Sequence, residues 1–234
     1  MKNLKKVLSG ILVAMLFSTS ISAYAVETVN VKDEYNPHNI RLDDCTGINL
    51  EEYAEANEEL IQLGKMAQKT KARKILTVKH YYQDDPSWSK DIMKSCNQTI
   101  GTAGCTLTSF AMIANYYGCM NDDPDQVNTV MGSNACPFMY YVAAERYGLS
   151  VANAIHRDVS DSDAIDFIIG GISANRPVLV GMQKDYSSNT HFVLAYGYDG
   201  STIYIHDPAS NRDYTTLGQY LSGYSVNRLY IYSR

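Results

Sequence analysis

Four residues, far apart in the chain, have the types and settings that nucleophilic catalysis needs: Gln83, Cys105, His191 and Asp207. Cys105 follows Gly104, and behind it Leu107, Phe110, Ala111 and Ala114 recur at helical spacing, which predicts one buried helix face. A thiol at a helix N-terminus lies in the positive end of the backbone dipole, beside N–H groups without an intrahelical partner. That setting favours the thiolate and can lower a cysteine pKa from ~8.5 to roughly 3.5–7.5.

A thiol nucleophile needs a base to take its proton and later return it to the leaving group. The base in turn needs a partner that fixes its tautomer. His191 opens the run Phe192-Val193-Leu194-Ala195-Tyr196-Gly197-Tyr198, and Asp207 closes Ile203-Tyr204-Ile205-His206. Asp199-Gly200 between the two runs is a strong hairpin signal, so the start of one strand falls beside the end of the next. His191 and Asp207 are therefore expected as neighbours. Gln83 carries a side-chain amide that, with the Cys105 backbone N–H, can hold the oxyanion; losing one such donor typically costs ~10²–10³ in rate.

The elements that must position these groups follow from the rest of the chain. Lys2, Lys5 and Lys6, an apolar run from Val7 to Phe17, and Ala23-Tyr24-Ala25 read as a secretory signal peptide cleaved after Ala25. No later stretch approaches ~20 apolar residues, so stable membrane insertion is not expected after its removal. Loss of residues 1–25 takes the net charge from −5 to −8, and an acidic chain without a basic stripe argues against nucleic acid as a partner.

Five cysteines, 45, 96, 105, 119 and 136, lie in the exported part, and an odd count leaves at least one thiol unpaired. Four of them can close two bridges in three ways or stay reduced. The preferred pairing is Cys119 with Cys136 and Cys45 with Cys96, with Cys105 free.

Residues 26–75 form an N-terminal extension with one helix, about Leu50 to Thr70, acidic at its start and basic at its end. It reads as a helix on the outside of the domain or as a removable pro-segment nicked in the basic stretch Lys69–Lys74. Residues 76–234 form the main domain. Lys74–Tyr82 is expected as a strand, and the Cys105 helix stops at Gly118. Asp123-Pro124 starts a helix to Met131, Pro137–Tyr147 is another, and Ser160-Asp161 caps a third that Gly170-Gly171 ends. Pro177–Gln183, His191–Tyr198, Thr202–His206 and Val226–Tyr232 are strands, with one helical turn at Leu217–Leu221. A helical front half before an antiparallel sheet is an α+β arrangement.

Other candidates carry less. His206 should point to the opposite sheet face from Asp207 and take a surface role. His38, His80 and His156 lack ligand spacing with the cysteines, so neither zinc nor another cofactor is expected. Asp84-Asp85 and the acidic run 121–125 read as turn chemistry, since the EF-hand pattern is missing.

The run Tyr82-Gln83-Asp84-Asp85-Pro86-x-Trp88, then Gly104-Cys105-x-x-Thr108-Ser109-x-Ala111-Met112 and Tyr117-Gly118, resembles the C39-type group of papain-like cysteine peptidases, the bacteriocin-processing (double-glycine) peptidase-like enzymes. The likeness continues through Arg176-Pro177-Val178-Leu179-Val180, His191-Phe192-Val193, Gly197-Tyr198-Asp199-Gly200 and Asp207-Pro208. It implies a papain-like fold with Cys105 as nucleophile, His191 as general base, Asp207 as its orienter and Gln83 as oxyanion donor. Two departures stand out. Thr106-Leu107 follow the cysteine where many members carry Gly-Pro, and the membrane domains of the transporter-linked members are absent. Cleavage after Gly-Gly is therefore not inferred.

The expected protein is a secreted, monomeric cysteine peptidase acting on a peptide or isopeptide bond. Two alternatives stand beside it: a cell-wall peptide hydrolase or transpeptidase with the same residues, and a non-catalytic binding module on the same scaffold.

Overall fold

In the computed structural model the described residues are 53–156 and 159–234, so the expected leader, Cys45 and the start of the extension lie outside them. In chain order the helices are α1 (Ala54–Lys69), α2 (Ile100–Ala103), α3 (Cys105–Tyr116), α4 (Pro124–Met131), α5 (Tyr140–Arg146) and α6 (Asp161–Ser173). The strands are β1 (Arg73–Ile75), β2 (Ile92–Met93), β3 (Gln98–Thr99), β4 (Ser150–Ile155), β5 (Val178–Lys184), β6 (Thr190–Asp199), β7 (Thr202–His206) and β8 (Tyr224–Ser233).

One antiparallel sheet runs β1-β6-β5-β8-β4, with β7 on the other edge of β6. The period-two pattern of its strands divides the core into two layers. Leu179, Phe192, Leu194, Tyr230 and Tyr232 face α3 and α5, where Phe110, Phe138 and Tyr140 meet them. Val178, Val180, Val193, Ala195, Leu229 and Ile231 face the other way, onto Phe167, Ile168 and Leu60 of α6 and α1. This is the α+β arrangement expected from the order of elements, and the papain-like fold that the family resemblance implied. Because it is sandwiched between the sheet and the helices around it, α3 is buried on all sides from Leu107 to Ala114 and not along one face alone.

Further expectations about the elements and the cysteines need correction. Gly170-Gly171 do not stop α6, which continues to Ser173. They are a contact surface: a Cβ on Gly170 would stand 2.0 Å from the Leu60 carbonyl oxygen, and one on Gly64 would stand 1.9 Å from that of Asp166. Two reciprocal glycines thus let α1 and α6 approach backbone to backbone, and α1 adds an amide donor from Asn57 to the Ala154 carbonyl at 2.9 Å.

The strand expected over Lys74–Tyr82 pairs only as far as Ile75. Beyond Leu76 the chain leaves the ladder and bonds instead to the end of the β6–β7 hairpin. Strand β4 lies where no strand was expected, and it covers the free edge of β8.

Finally, Cys96 pairs with Cys136, not with Cys45, and Cys119 is free. The β2–β3 hairpin is drawn to the 132–138 loop by the Ser95 hydroxyl, which donates to the Ser133 carbonyl at 2.6 Å. That leaves the Cys96 and Cys136 Cα atoms 5.7 Å apart. The Cys119 thiol turns instead to the Tyr147 carbonyl, 3.6 Å away.

Candidate active site

Cys105 is the first residue of α3, with Gly104 as its N-cap. Only glycine fits there, since a Cβ would lie 2.4 Å from the Ile100 carbonyl oxygen and 2.7 Å from the Ile100 Cγ2. Short α2 therefore abuts α3 and fixes where the thiol emerges. The Ser109 hydroxyl donates to the Phe192 carbonyl at 3.4 Å, tying α3 to β6 beside His191.

His191 and Asp207 meet as the hairpin predicted. Leu194 pairs with His206, so His191 and Asp207 stand diagonally across the β6–β7 ladder, a separation that two polar side chains can bridge. The His191 Nε2 lies 2.7 Å from the Asp207 Oδ1. The Cys105 thiol and the His191 ring shift each other's ionisation, which sets thiol, imidazole and carboxylate side by side.

The electrostatics of the three groups follow from that arrangement. Burial alone would push the Cys105 thiol up, but His191, with the Phe192 backbone and the Thr106 side chain, holds it below its ordinary value. Burial alone would lower His191, but Asp207 and Cys105 raise it to about 9. Asp207 is buried, which opposes ionisation, yet His191, Tyr220 and the Ala209 N–H hold its carboxyl below the usual range. The pair is thereby biased toward thiolate and imidazolium, each charge favouring the other. Cys119 offers the contrast: burial and Asp122 push its thiol up.

Gln83 lies at the same site. Its backbone N–H donates to the Pro208 carbonyl at 2.8 Å, and its Nε2 donates to the Gly101 carbonyl at 2.9 Å. One amide N–H thus anchors the side chain between the hairpin end and α2, leaving the second N–H of the same nitrogen for another acceptor. Gln83, Cys105 and His191 line one cleft of about 640 Å³, whose other walls include Phe138, Tyr140 and Arg228.

Two supporting residues escaped the sequence reading. Tyr220 donates its hydroxyl to the Asp207 Oδ2 and is in turn held by Arg212 Nη1 at 3.0 Å. His80 bonds the Asp207 backbone carbonyl through Nε2 at 2.6 Å. Neither carries a motif signal, since Tyr220 is one of 19 tyrosines and His80 has no ligand spacing. His206 takes no part in the thiol–imidazole–carboxylate group, but its expected surface role is corrected. Its ring is half-buried, stacked on Tyr196 at 4.0 Å and on His80 at 4.3 Å. Burial and the neighbouring His80 push its pKa down to about 4. Asp85 and Asp123 serve turn chemistry as expected, accepting from the Ser87 N–H at 2.8 Å and the Gln126 N–H at 2.9 Å.

A papain-like α+β fold carrying these groups at one cleft belongs among the peptidase folds, and comparison with known proteins places it more closely. The chain belongs to the Peptidase_C39 like family, whose model matches residues 75–227. Membership supports a peptidase. A crystal structure from Bacillus anthracis, described as a C39-like peptidase, is similar at 15% identity over 69% of this chain and 98% of that one, with a TM-score of 0.42. No curated protein matches the chain significantly.

Proposed function

We propose that this protein is an exported cysteine peptidase that hydrolyses a peptide or isopeptide bond. The reading is carried by one observation, the His191–Asp207 hydrogen bond with Cys105 beside it at the wall of the same substrate-sized cleft. In this reaction the Cys105 thiolate attacks the scissile carbonyl carbon, forming a C–S bond as the carbonyl electron pair moves to oxygen. The free N–H of Gln83 Nε2 and the Cys105 backbone N–H, at the start of α3, receive that oxyanion. Collapse breaks the C–N bond while His191 gives its proton to the departing amine. Water then attacks the thioester, His191 takes its proton, and the acid and the thiolate are released. Asp207 stays ionised throughout and fixes the imidazole.

Export is part of the same proposal and rests on residues 1–25, as does the reading of residues 26–75 as an extension or a pro-segment. N-terminal sequencing of the secreted protein decides both. A start at Val26 with full activity removes the pro-segment, and a protein found only inside the cell with Met1 retained removes export.

The catalytic reading is tested with a peptide-library cleavage screen run beside purified peptidoglycan, comparing the wild-type protein with Cys105→Ala. The expected result is cleavage that Cys105→Ala abolishes while the melting temperature hardly moves. Cleavage surviving in the variant overturns the proposal. Wild type without any cleavage leaves the binding-module reading standing in its place. Products from peptidoglycan alone would identify the substrate as cell-wall peptide.

A further inference from the structure

The cleft beside Cys105 has a charge character that the chain as a whole does not. The full chain carries a net charge of −5, yet none of the residues lining the cleft is an aspartate or glutamate, and two are arginines, Arg212 and Arg228. Arg212 is engaged by the Tyr220 hydroxyl and lies over the Tyr220 ring. Arg228 is different. Among the described residues no carboxylate lies within ion-pair distance of it, and its guanidinium faces the Phe192 ring, 6.0 Å below, and the phenols of Tyr140 and Tyr230.

The sheet is built to put Arg228 there. Phe192, Gly181 and Arg228 form one row across β6, β5 and β8. A Cβ on Gly181 would stand 2.5 Å from the Phe192 ring and 2.9 Å from the Arg228 Cβ, so the glycine clears the space that these two side chains share. Between the pairs Gly181–Arg228 and Met182–Val226 the register shifts, leaving Asn227 as an extra residue in β8. A bulge of this kind re-aims the neighbouring side chain. The half-buried guanidinium is thereby turned into the cleft, where a planar fork of N–H donors suits a carboxylate.

We propose that Arg228 is a specificity residue, which binds a carboxylate of the substrate near the scissile bond. This rests on the peptidase reading with Cys105 as nucleophile.

Two alkylating probes that differ in charge test it without knowledge of the substrate. Iodoacetate carries a carboxylate and iodoacetamide a neutral amide. With either, the Cys105 thiolate forms a C–S bond and iodide departs. The readout is the ratio of the two rate constants at Cys105, followed by mass spectrometry at pH 7 with Cys119 as the internal reference. Arg228→Gln is expected to lower the ratio about tenfold through loss of a charge-assisted contact, with Arg228→Lys in between. Both rates falling by one factor, or an unchanged ratio in a variant whose melting curve is native, overturns the proposal. Wild-type Cys105 reacting no faster than Cys119 with either reagent instead overturns the nucleophile reading beneath it. Once a cleaved peptide is in hand, its Glu/Gln and free-acid/amide versions separate an acidic side chain from a chain terminus. Equal cleavage of all four also overturns the proposal.

Discussion

Tyr220 donates its hydroxyl to the Asp207 Oδ2, the carboxylate oxygen that His191 leaves free, while Oδ1 receives both the His191 Nε2 at 2.7 Å and the Ala209 N–H at 2.9 Å. A buried carboxylate with three donors remains ionised without a cation of its own besides the imidazolium. The two neighbours of Asp207 predict opposite shifts of the same pH profile. Asp207→Asn removes the charge that raises His191 to about 9, so the alkaline limb of kcat/KM moves to lower pH and the rate falls steeply. Tyr220→Phe removes a donor that shares the carboxylate's charge, so Asp207 becomes more basic, His191 is held more firmly, and the limb moves up. The same change should cost ~1–3 kcal/mol of stability by leaving a buried oxygen short of a partner. Limbs shifting in one direction in both variants would rule out this division of roles.

The two free thiols of the described residues give an internal contrast. Cys105 is held below the ordinary thiol value and Cys119 above it. Iodoacetamide at pH 6.5–7, an interval roughly two units below the ordinary thiol pKa, should therefore modify Cys105 well ahead of Cys119. As pH rises the Cys105 rate should level off at a lower pH than the Cys119 rate, because one thiol is lowered and the other raised. Equal rates near neutrality would mean that His191 does not activate the thiol. His191→Ala should erase the difference, because burial alone raises the Cys105 pKa.

Much of this was legible in the chain because the informative signals are local. Gly-Cys before a helical repeat, and two strands joined at Asp199-Gly200, are enough to bring Cys105, His191 and Asp207 into one argument. What escaped was set by contacts distant in sequence. Gly170-Gly171 look like a helix stop, and only the crossing with Gly64 reveals them as a contact surface. The Cys96–Cys136 bridge depends on a hairpin of two-residue strands, too short to have a pattern. Tyr220 reaches Asp207 from a single helical turn across 13 residues of mostly exposed chain. Strand β4, Ser-Val-Ala-Asn-Ala-Ile, is weak in β-formers and is held by its pairing with β8.

The disulfide ties stability to the cleft. Cys136 lines the cleft next to Pro137 and Phe138, and its partner Cys96 lies 40 residues away. Closing a loop of that size constrains the unfolded chain by ~4 kcal/mol in the chain-entropy account. The double variant Cys96→Ala/Cys136→Ala should lose stability of that order in denaturant titration. It should also raise KM more than it lowers kcat, because the wall loosens while Cys105 and His191 keep their mounts. A fall in kcat with KM unchanged would place the bridge in the support of the thiol instead.

The crossing of α1 and α6 predicts how far the domain depends on the helix that precedes the family-matched region. Leu60 is buried in the same cluster as Phe167 and Ile168, and the Gln68 amide donates to the Asp166 carboxylate across the crossing. Burial raises the Asp166 carboxyl and the Gln68 donor pulls against it, so this contact needs α1 in place. Gly170→Ala sets a methyl 2.0 Å from a backbone oxygen that no side-chain rotation can move. The helices must part, and overpacking of this kind costs ~1–3 kcal/mol or more. Gly64→Ala should cost about the same, and the double variant should cost less than the sum, since one separation of the helices relieves both clashes. Neither substitution touches the Cys105 cleft, so alkylation of Cys105 below the melting transition should keep its native rate. Strictly additive losses would show that the glycines act at independent sites, and native stability in both variants would show that α1 is dispensable to the fold.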